Sequence, residues 1–181
     1  PPILEIPTYA KEGWAVSEIT YEVPIHYERS IENGLDPAHN EFVHPTHGFG
    51  GENAEYKVND LRLIDEDYEW GFGFFSKFNS PEMKKQSVMS EFKKAKSDRE
   101  AGSGNTGPNH LWTIIRFSEK AEFGQYMYEA PIDENNTKIY LINMRNMALE
   151  PEHDDEIVKR NWNVIQQDIT VLNQLRPVIT P

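Results

Sequence analysis

Between Asn33 and His44 the chain reads Asn-Gly-Leu-Asp-Pro-Ala-His-Asn-Glu-Phe-Val-His, and Pro45 follows. Asp36 and His39 are three residues apart, so on one turn of helix they share a face. His44 lies five residues beyond His39. Five residues of regular helix turn by roughly 500°, which leaves the second imidazole about 140° from the first. A straight helix therefore cannot aim both rings at one ion. Pro45 offers a remedy, because the residue before a proline is pushed out of the helical region, and a helix ending at Val43 or His44 can swing that ring back. The stretch predicts a helix over about 30–44 that breaks at its end.

Two neutral imidazoles suit zinc, copper, iron or nickel, and with one carboxylate they form the facial triad that leaves positions open on non-haem iron(II). Asp36 is the nearer carboxylate. Asp168 is the more telling one, because Ile165 precedes it by three residues and Leu172 follows it by four in a segment with helical periodicity. On a helix the three share a face, so Asp168 looks inward, where an unpaired carboxylate would cost several kcal/mol or stay protonated. A buried cation removes that cost. Plainer readings stand beside these. His39 and His44 can be hydrogen-bonded structural histidines, and Asp36 can cap a helical turn. His47 can replace a ligand from a glycine-rich loop, whereas His26, His110 and His153 read as structural or exposed.

These residues resemble the catalytic domain of Rieske-type non-haem iron oxygenases. The family pattern is an Asn, then Asp-x-x-His-x-x-x-x-His, then an Asp on a late helix, and here it reads Asn33, Asp36, His39, His44 and Asp168. Asp-Pro-Ala-His and Phe-Val-His are most similar to the demethylase and pheophorbide-oxygenase branches. The resemblance spans most of the chain. It implies iron(II) held by His39, His44 and Asp168, with dioxygen and a small organic substrate, aromatic or cyclic, beside the ion. It implies hydroxylation or oxidative dealkylation. Asp36 then has a catalytic role, bridging to a Rieske-cluster histidine of a neighbouring subunit, and Asn33 lies near the iron. Electrons would come from NAD(P)H through a reductase or ferredoxin and a [2Fe–2S] Rieske cluster, in a head-to-tail homotrimer. Substrate-pocket candidates are Asn33, Phe42 on the motif helix, Phe117 and Asn143. The Cys-x-His and Cys-x-x-His pair that would hold the cluster does not occur, since the chain contains no cysteine. The Rieske domain is thus expected elsewhere in a longer parent, and an opening on Pro1 fits an excised fragment.

Charge narrows the partners. With 18 basic and 30 acidic residues the net charge is -12, which argues against nucleic acid or an anionic membrane surface and favours a basic redox partner. Zero cysteines exclude disulfides and thiolate metal sites. No apolar run approaches membrane-spanning length and no signal peptide is visible, so a soluble, cytoplasmic protein is expected.

The 181 residues suit one domain. Residues 1–13 read as a linker or surface strap and 14–181 as the catalytic domain. Strand patterns occupy Trp14–Ile25, Glu55–Ile64, Asp67–Phe78, Leu111–Phe117, Ala121–Ala130 and Lys138–Met147, with Asp133-Glu-Asn-Asn136 as a turn. Trp70, Phe72, Phe74 and Phe78 form a stripe read as sheet core. Residues 79–109, rich first in lysine and then in glycine, read as a surface excursion with a mobile tip. A final helix starts near Asp154 or Asp155 and runs to about Leu175, ahead of Pro177. The expected class is α+β: an antiparallel sheet of about six strands with a long C-terminal helix packed on it, the helix-grip (START/Bet v1-like) arrangement that the resemblance also implies. Two other functions are compatible with these residues, a helix-grip small-molecule binding module without redox activity and a zinc hydrolase.

Overall fold

Period-two alternation of apolar residues builds most of the molecule, and one long amphipathic helix closes it. The computed structural model describes residues 3–47, 50–64, 70–78 and 99–179. The elements are β1 (Ala15–Val23), α1 (Tyr27–Gly34), α2 (His39–Val43), β2 (Asn59–Ile64), β3 (Gly71–Phe78), β4 (Arg99–Thr106), β5 (His110–Ser118), β6 (Ala121–Pro131), β7 (Thr137–Arg145) and α3 (Asp154–Leu172). A single turn of 3-10 helix at Pro45–His47 follows α2. The strands form one seven-stranded sheet in the order β1-β7-β6-β5-β4-β3-β2, antiparallel throughout. Strands β2 to β7 thus follow one another as a meander, and β1 docks on the far side of β7.

The helix α3 lies on one face. Its Leu172 packs with Tyr21, Val23, Ile139 and Leu141 from β1 and β7, with Ile165 and Ile169 partly buried beside them, and each fully buried large aliphatic there stabilises by about 1.5–3 kcal/mol. Asp154, Asp155 and Glu156 occupy the first turn of α3, where negative charge meets the positive end of the helix. Asp154 also accepts from the guanidinium of Arg145 at the end of β7, a side chain with no exposed surface. That pair sets the helix start against the sheet. Asn161 Nδ2 donates to Asn143 Oδ1 at 2.8 Å two turns later.

The opposite face has its own core. Trp112, Tyr126 and Met144 pack there with Ile142 and Phe75, and Leu4, Ile6 and Trp14 from the N-terminal segment cover them. Tyr128 donates its hydroxyl proton to the Leu4 carbonyl at 2.7 Å, which ties that segment to the sheet.

Several sequence expectations are corrected. The motif helix over 30–44 is two helices, α1 and α2, with a break at residues 35–38. Asp36 precedes Pro37 and is disfavoured in helix for the same reason as the residue before Pro45. The glycine-rich segment read as a mobile tip is β4, an interior strand between β3 and β5. A Cβ on Gly104 would come within 2.3 Å of the Trp112 ring and 2.6 Å of the Phe72 carbonyl, so glycine is there to admit a neighbouring aromatic. Strand β4 raises the count from about six to seven, and α3 ends at Leu172 rather than Leu175. Within the aromatic stripe, Phe74 is 4% exposed whereas Trp70 and Phe72 are 51% and 42% exposed. The lysine run between 84 and 96, the 65–67 turn, Gly48 and the Phe78 side chain fall outside the described residues.

Candidate metal centre

The break between α1 and α2 is what lets two helices and α3 meet at one point. Gly34 ends α1 against β5, where a Cβ would lie 2.2 Å from Leu111 Cδ2. The missing side chain brings α1 close enough to place Asn33 over α3. Helix α2 then starts at His39 and ends at Val43, and His44 leaves the helix with φ -111° and ψ 74°, outside the helical region. That departure returns its ring toward His39.

The three candidate ligands converge. His39 Nε2 lies 3.1 Å from His44 Nε2. Asp168 Oδ1 lies 3.2 Å from His44 Nε2 and 4.0 Å from His39 Nε2. Neighbouring donors around an ion with bonds of about 2.1 Å sit roughly 3 Å apart, so the spacing suits coordination. This is the group of three metal-ligating side chains found among the described residues. His47 is outside it, with its Nδ1 3.2 Å from Asn40 Oδ1.

Each ligand is held by a second group. The Asp36 backbone carbonyl contacts His39 Nδ1. Gln167 Oε1 lies 3.1 Å from His44 Nδ1, while Gln167 Nε2 donates to the Thr46 hydroxyl. Asn33 Nδ2 donates to Asp168 Oδ1 at 2.9 Å. A carbonyl oxygen can only accept, so both Nδ1 atoms carry the ring proton and both Nε2 atoms present lone pairs. Two lone pairs and a carboxylate oxygen then face one another across a few ångströms, an arrangement that a cation at their centre satisfies. Burial also holds His39 below the ordinary histidine pKa, against the opposing pull of the Asp36 carbonyl and Asp168, which favours the neutral ligand form. Two imidazoles and a carboxylate within reach of one point are a donor set that suits iron(II) or zinc with positions left open.

A cavity of about 230 Å³ opens beside this centre. Tyr21, Phe74, Leu111, Phe117 and Met127 give it apolar walls, and Ser103, Thr113 and Gln125 add a neutral polar row from β4, β5 and β6. Ser103 and Thr113 share a hydrogen bond of 3.0 Å.

The other sequence-stated candidates divide. Asp36 lies at the cavity edge, exposed, and its Oδ1 accepts from Ala38 N at 2.8 Å, so it reaches His39 through its backbone and not its carboxylate. Asn33 sits on Asp168, as given above. Phe117 lines the cavity. Phe42 does not and is 53% exposed. Helix α2 instead buries Glu41, which accepts from Asn53 N at 3.2 Å, and the next residue, about 100° round the helix, faces out. Asn143 is fully buried behind the cavity wall, bonded to Asn161 and to the Ser17 carbonyl at 3.3 Å. It ties sheet to helix.

Two groups escaped sequence reasoning. Gln167 stands beside Asp168 in the chain, a proximity that was its only signal. Glu129 on β6 has no exposed surface, and Ser30 Oγ donates to its Oε1 at 2.8 Å. Burial pushes this carboxyl up to about 8. Ser30 and Asn33, one turn apart on α1, thus each hold a carboxyl group.

Comparison with known proteins agrees with this architecture. The fold matches Pseudomonas putida CBB5 NdmA with caffeine at a TM-score of 0.77 and 20% identity, over 99% of this chain and 49% of that one. It matches dicamba monooxygenase bound to dicamba at 0.69 and 14% identity, over 98% and 57%. A quaternary ammonium Rieske monooxygenase of gut microbiota, described for carnitine oxidation and inter-subunit electron transfer, matches at 0.60 and 13%, over 90% and 40%. The chain spans about half the length of these solved relatives. A sequence search of curated proteins finds no match. No helix among the described residues is long and apolar enough to cross a membrane. Residues 23–180 match the model of the vanillate O-demethylase oxygenase C-terminal domain, and the chain belongs to that family of Rieske oxygenase catalytic domains.

Proposed function

We propose that this domain activates dioxygen at a mononuclear iron(II) held by His39, His44 and Asp168, and hydroxylates or oxidatively dealkylates a small organic substrate. One observation carries the reading. Both imidazoles are turned by acceptors on Nδ1 so that their Nε2 lone pairs meet beside a carboxylate oxygen, 3.1 and 3.2 Å apart at His44.

When bound, iron(II) supplies the oxygen chemistry. The chain's own residues supply the rest. Asp168 contributes the one negative charge among the ligands, with its orientation fixed by Asn33. The apolar walls exclude water and take the substrate's hydrocarbon surface, and the Ser103, Thr113 and Gln125 row offers hydrogen bonds that set its orientation. The substrate class favoured is an aromatic or cyclic molecule small enough for the cavity.

Electrons must arrive from outside the chain, because no cysteine is available to ligate a cluster. The proposed partners are a Rieske [2Fe–2S] domain and an NAD(P)H-dependent reductase or ferredoxin, within a homotrimer in a soluble compartment. Asp36 is the proposed point of entry: its side chain is exposed while its own carbonyl holds His39. A net charge of -12 favours a basic donor surface.

Anaerobic reconstitution followed by elemental analysis and nitric oxide spectroscopy tests the reading. Iron(II) at about one per chain with a nitrosyl signal is expected. Protein that takes up no iron, or that holds zinc in a closed site, would defeat it.

A further inference from the structure

Helix α3 brings two adjacent residues to the centre, and they act on different sides of the same ring. Asp168 Oδ1 lies 3.2 Å from His44 Nε2, and Gln167 Oε1 lies 3.1 Å from His44 Nδ1. The Gln167 amide also donates to Thr46, in the 3-10 turn Pro45–His47 that follows His44. His44 is only 2% exposed, so water cannot readily substitute for the amide as an acceptor.

We propose that Gln167 is a positioning residue that fixes the tautomer of His44 and so keeps its Nε2 lone pair free for a metal. The inference rests on the iron reading above and deepens it, because it gives the Gln167 amide a consequence that can be measured in metal-free protein. With the Gln167 carbonyl turned to His44, the ring proton stays on Nδ1 and the Nε2 lone pair points at the centre. With that acceptor gone, the better partner for the ring proton is Asp168 Oδ1, through Nε2. The proton would then sit where the metal must go. The Thr46 hydroxyl locks the amide end, and because a hydroxyl can donate as well as accept, a carboxylate at position 167 keeps the same three-residue chain. The site thus has one helix supplying both the anionic ligand and the group that readies a neighbouring ligand.

Three variants separate this role from a strut between α3 and the 3-10 turn. Gln167→Leu removes the acceptor and keeps bulk, Gln167→Glu keeps an acceptor, and Thr46→Val removes the lock alone. The first readout is the histidine nitrogen NMR spectrum of metal-free protein, at a pH where the rings are neutral. Wild type and Gln167→Glu should show His44 protonated at Nδ1, and Gln167→Leu should move the proton to Nε2. The second readout is iron(II) affinity by anaerobic chelator competition. Gln167→Leu should weaken binding by about 10–100-fold, the scale expected for losing an outer partner of a ligand histidine, and Thr46→Val by less, while Gln167→Glu binds at or above the wild-type level. An unchanged tautomer in Gln167→Leu would overturn the proposal, as would equal loss of affinity in the Leu and Glu variants. Wild-type protein that binds no iron, yet shows the expected tautomers, would support the proposal while removing the oxygenase reading.

Discussion

Asn33 on α1 donates its amide proton to Asp168 Oδ1 on α3 at 2.9 Å, across a sequence separation of 135 residues. The bond joins the helix before the two histidines to the helix that carries the carboxylate, so the centre depends on how α1 docks. Asn33→Ala should lower the stability of the metal-free protein by about 1 kcal/mol, the net worth of one such bond. It should also weaken iron(II) binding, because the carboxylate loses its fixed orientation. Urea denaturation and chelator competition on the same variant check both effects, and an unchanged affinity would confine Asn33 to a structural role.

Glu129 predicts a pH dependence. Its carboxyl is pushed from 4.5 up to about 8 by burial, so the fold prefers the protonated form. Stability from this group is fully present below 4.5 and is lost as pH rises toward 8, because the unfolded chain releases the proton that the folded chain retains. Glu129→Gln keeps a neutral side chain that can still bond Ser30. The variant should gain on wild type by a few kcal/mol, roughly, at a pH of about 8 and lose that advantage near 5. Melting curves of both proteins across this range test it, and parallel curves would contradict it.

How α1 reaches the sheet gives a third expectation. Adding a methyl at Gly34 places it 2.2 Å from Leu111 Cδ2, and Leu111 is itself 1% exposed. Gly34→Ala should therefore cost about 1–3 kcal/mol through overpacking and shift the end of α1 that carries Asn33. Thermal melting measures the first effect and iron affinity the second. A neutral substitution would show that Leu111 has room to turn.

Parts of this arrangement were legible in the sequence for physical reasons. His44 has to leave the helix to meet His39, and Pro45 marks that departure. Asp168 lies in phase with Ile165 and Leu172, so its inward position follows from helical geometry alone, as does the long final helix. The class, an antiparallel sheet gripped by that helix, was likewise visible in alternating strands such as β5 to β7. Strand β4 was not, because Gly102 and Gly104 look like a turn in one dimension and acquire their meaning only when Phe75 and Trp112 lie against them. The exposed direction of Phe42 depends on where α2 begins, and the sequence does not mark His39 as that start. Asn143 is a polar residue on a strand that can face a ligand or a helix, and in the structure it bonds Asn161 of α3. Gln167 carried no distinguishing mark, as an amide on a helix is common on surfaces.

The proposed role of Asp36 predicts that electron delivery can be lost while metal binding is kept. In a parent that carries the proposed Rieske domain, Asp36→Asn should retain iron, because the backbone carbonyl that holds His39 is unchanged. The amide removes the charge that would anchor an imidazole of a neighbouring subunit. Reductant-driven turnover should fall sharply with iron content near wild type. Loss of iron together with activity would place the Asp36 side chain among the ligands instead.

The most direct test of the centre is iron content and metal-free melting temperature measured together on Asp168→Ala. Removing the one anionic ligand from two neutral imidazoles should weaken iron(II) binding by more than the roughly 10–100-fold expected for losing an outer partner. Metal-free stability should hold or rise, since the converging lone pairs of His39 and His44 lose a carboxylate that no cation then neutralises. Iron bound at the wild-type level in Asp168→Ala would contradict the account, because the proposed centre depends on that carboxylate beside the two histidines.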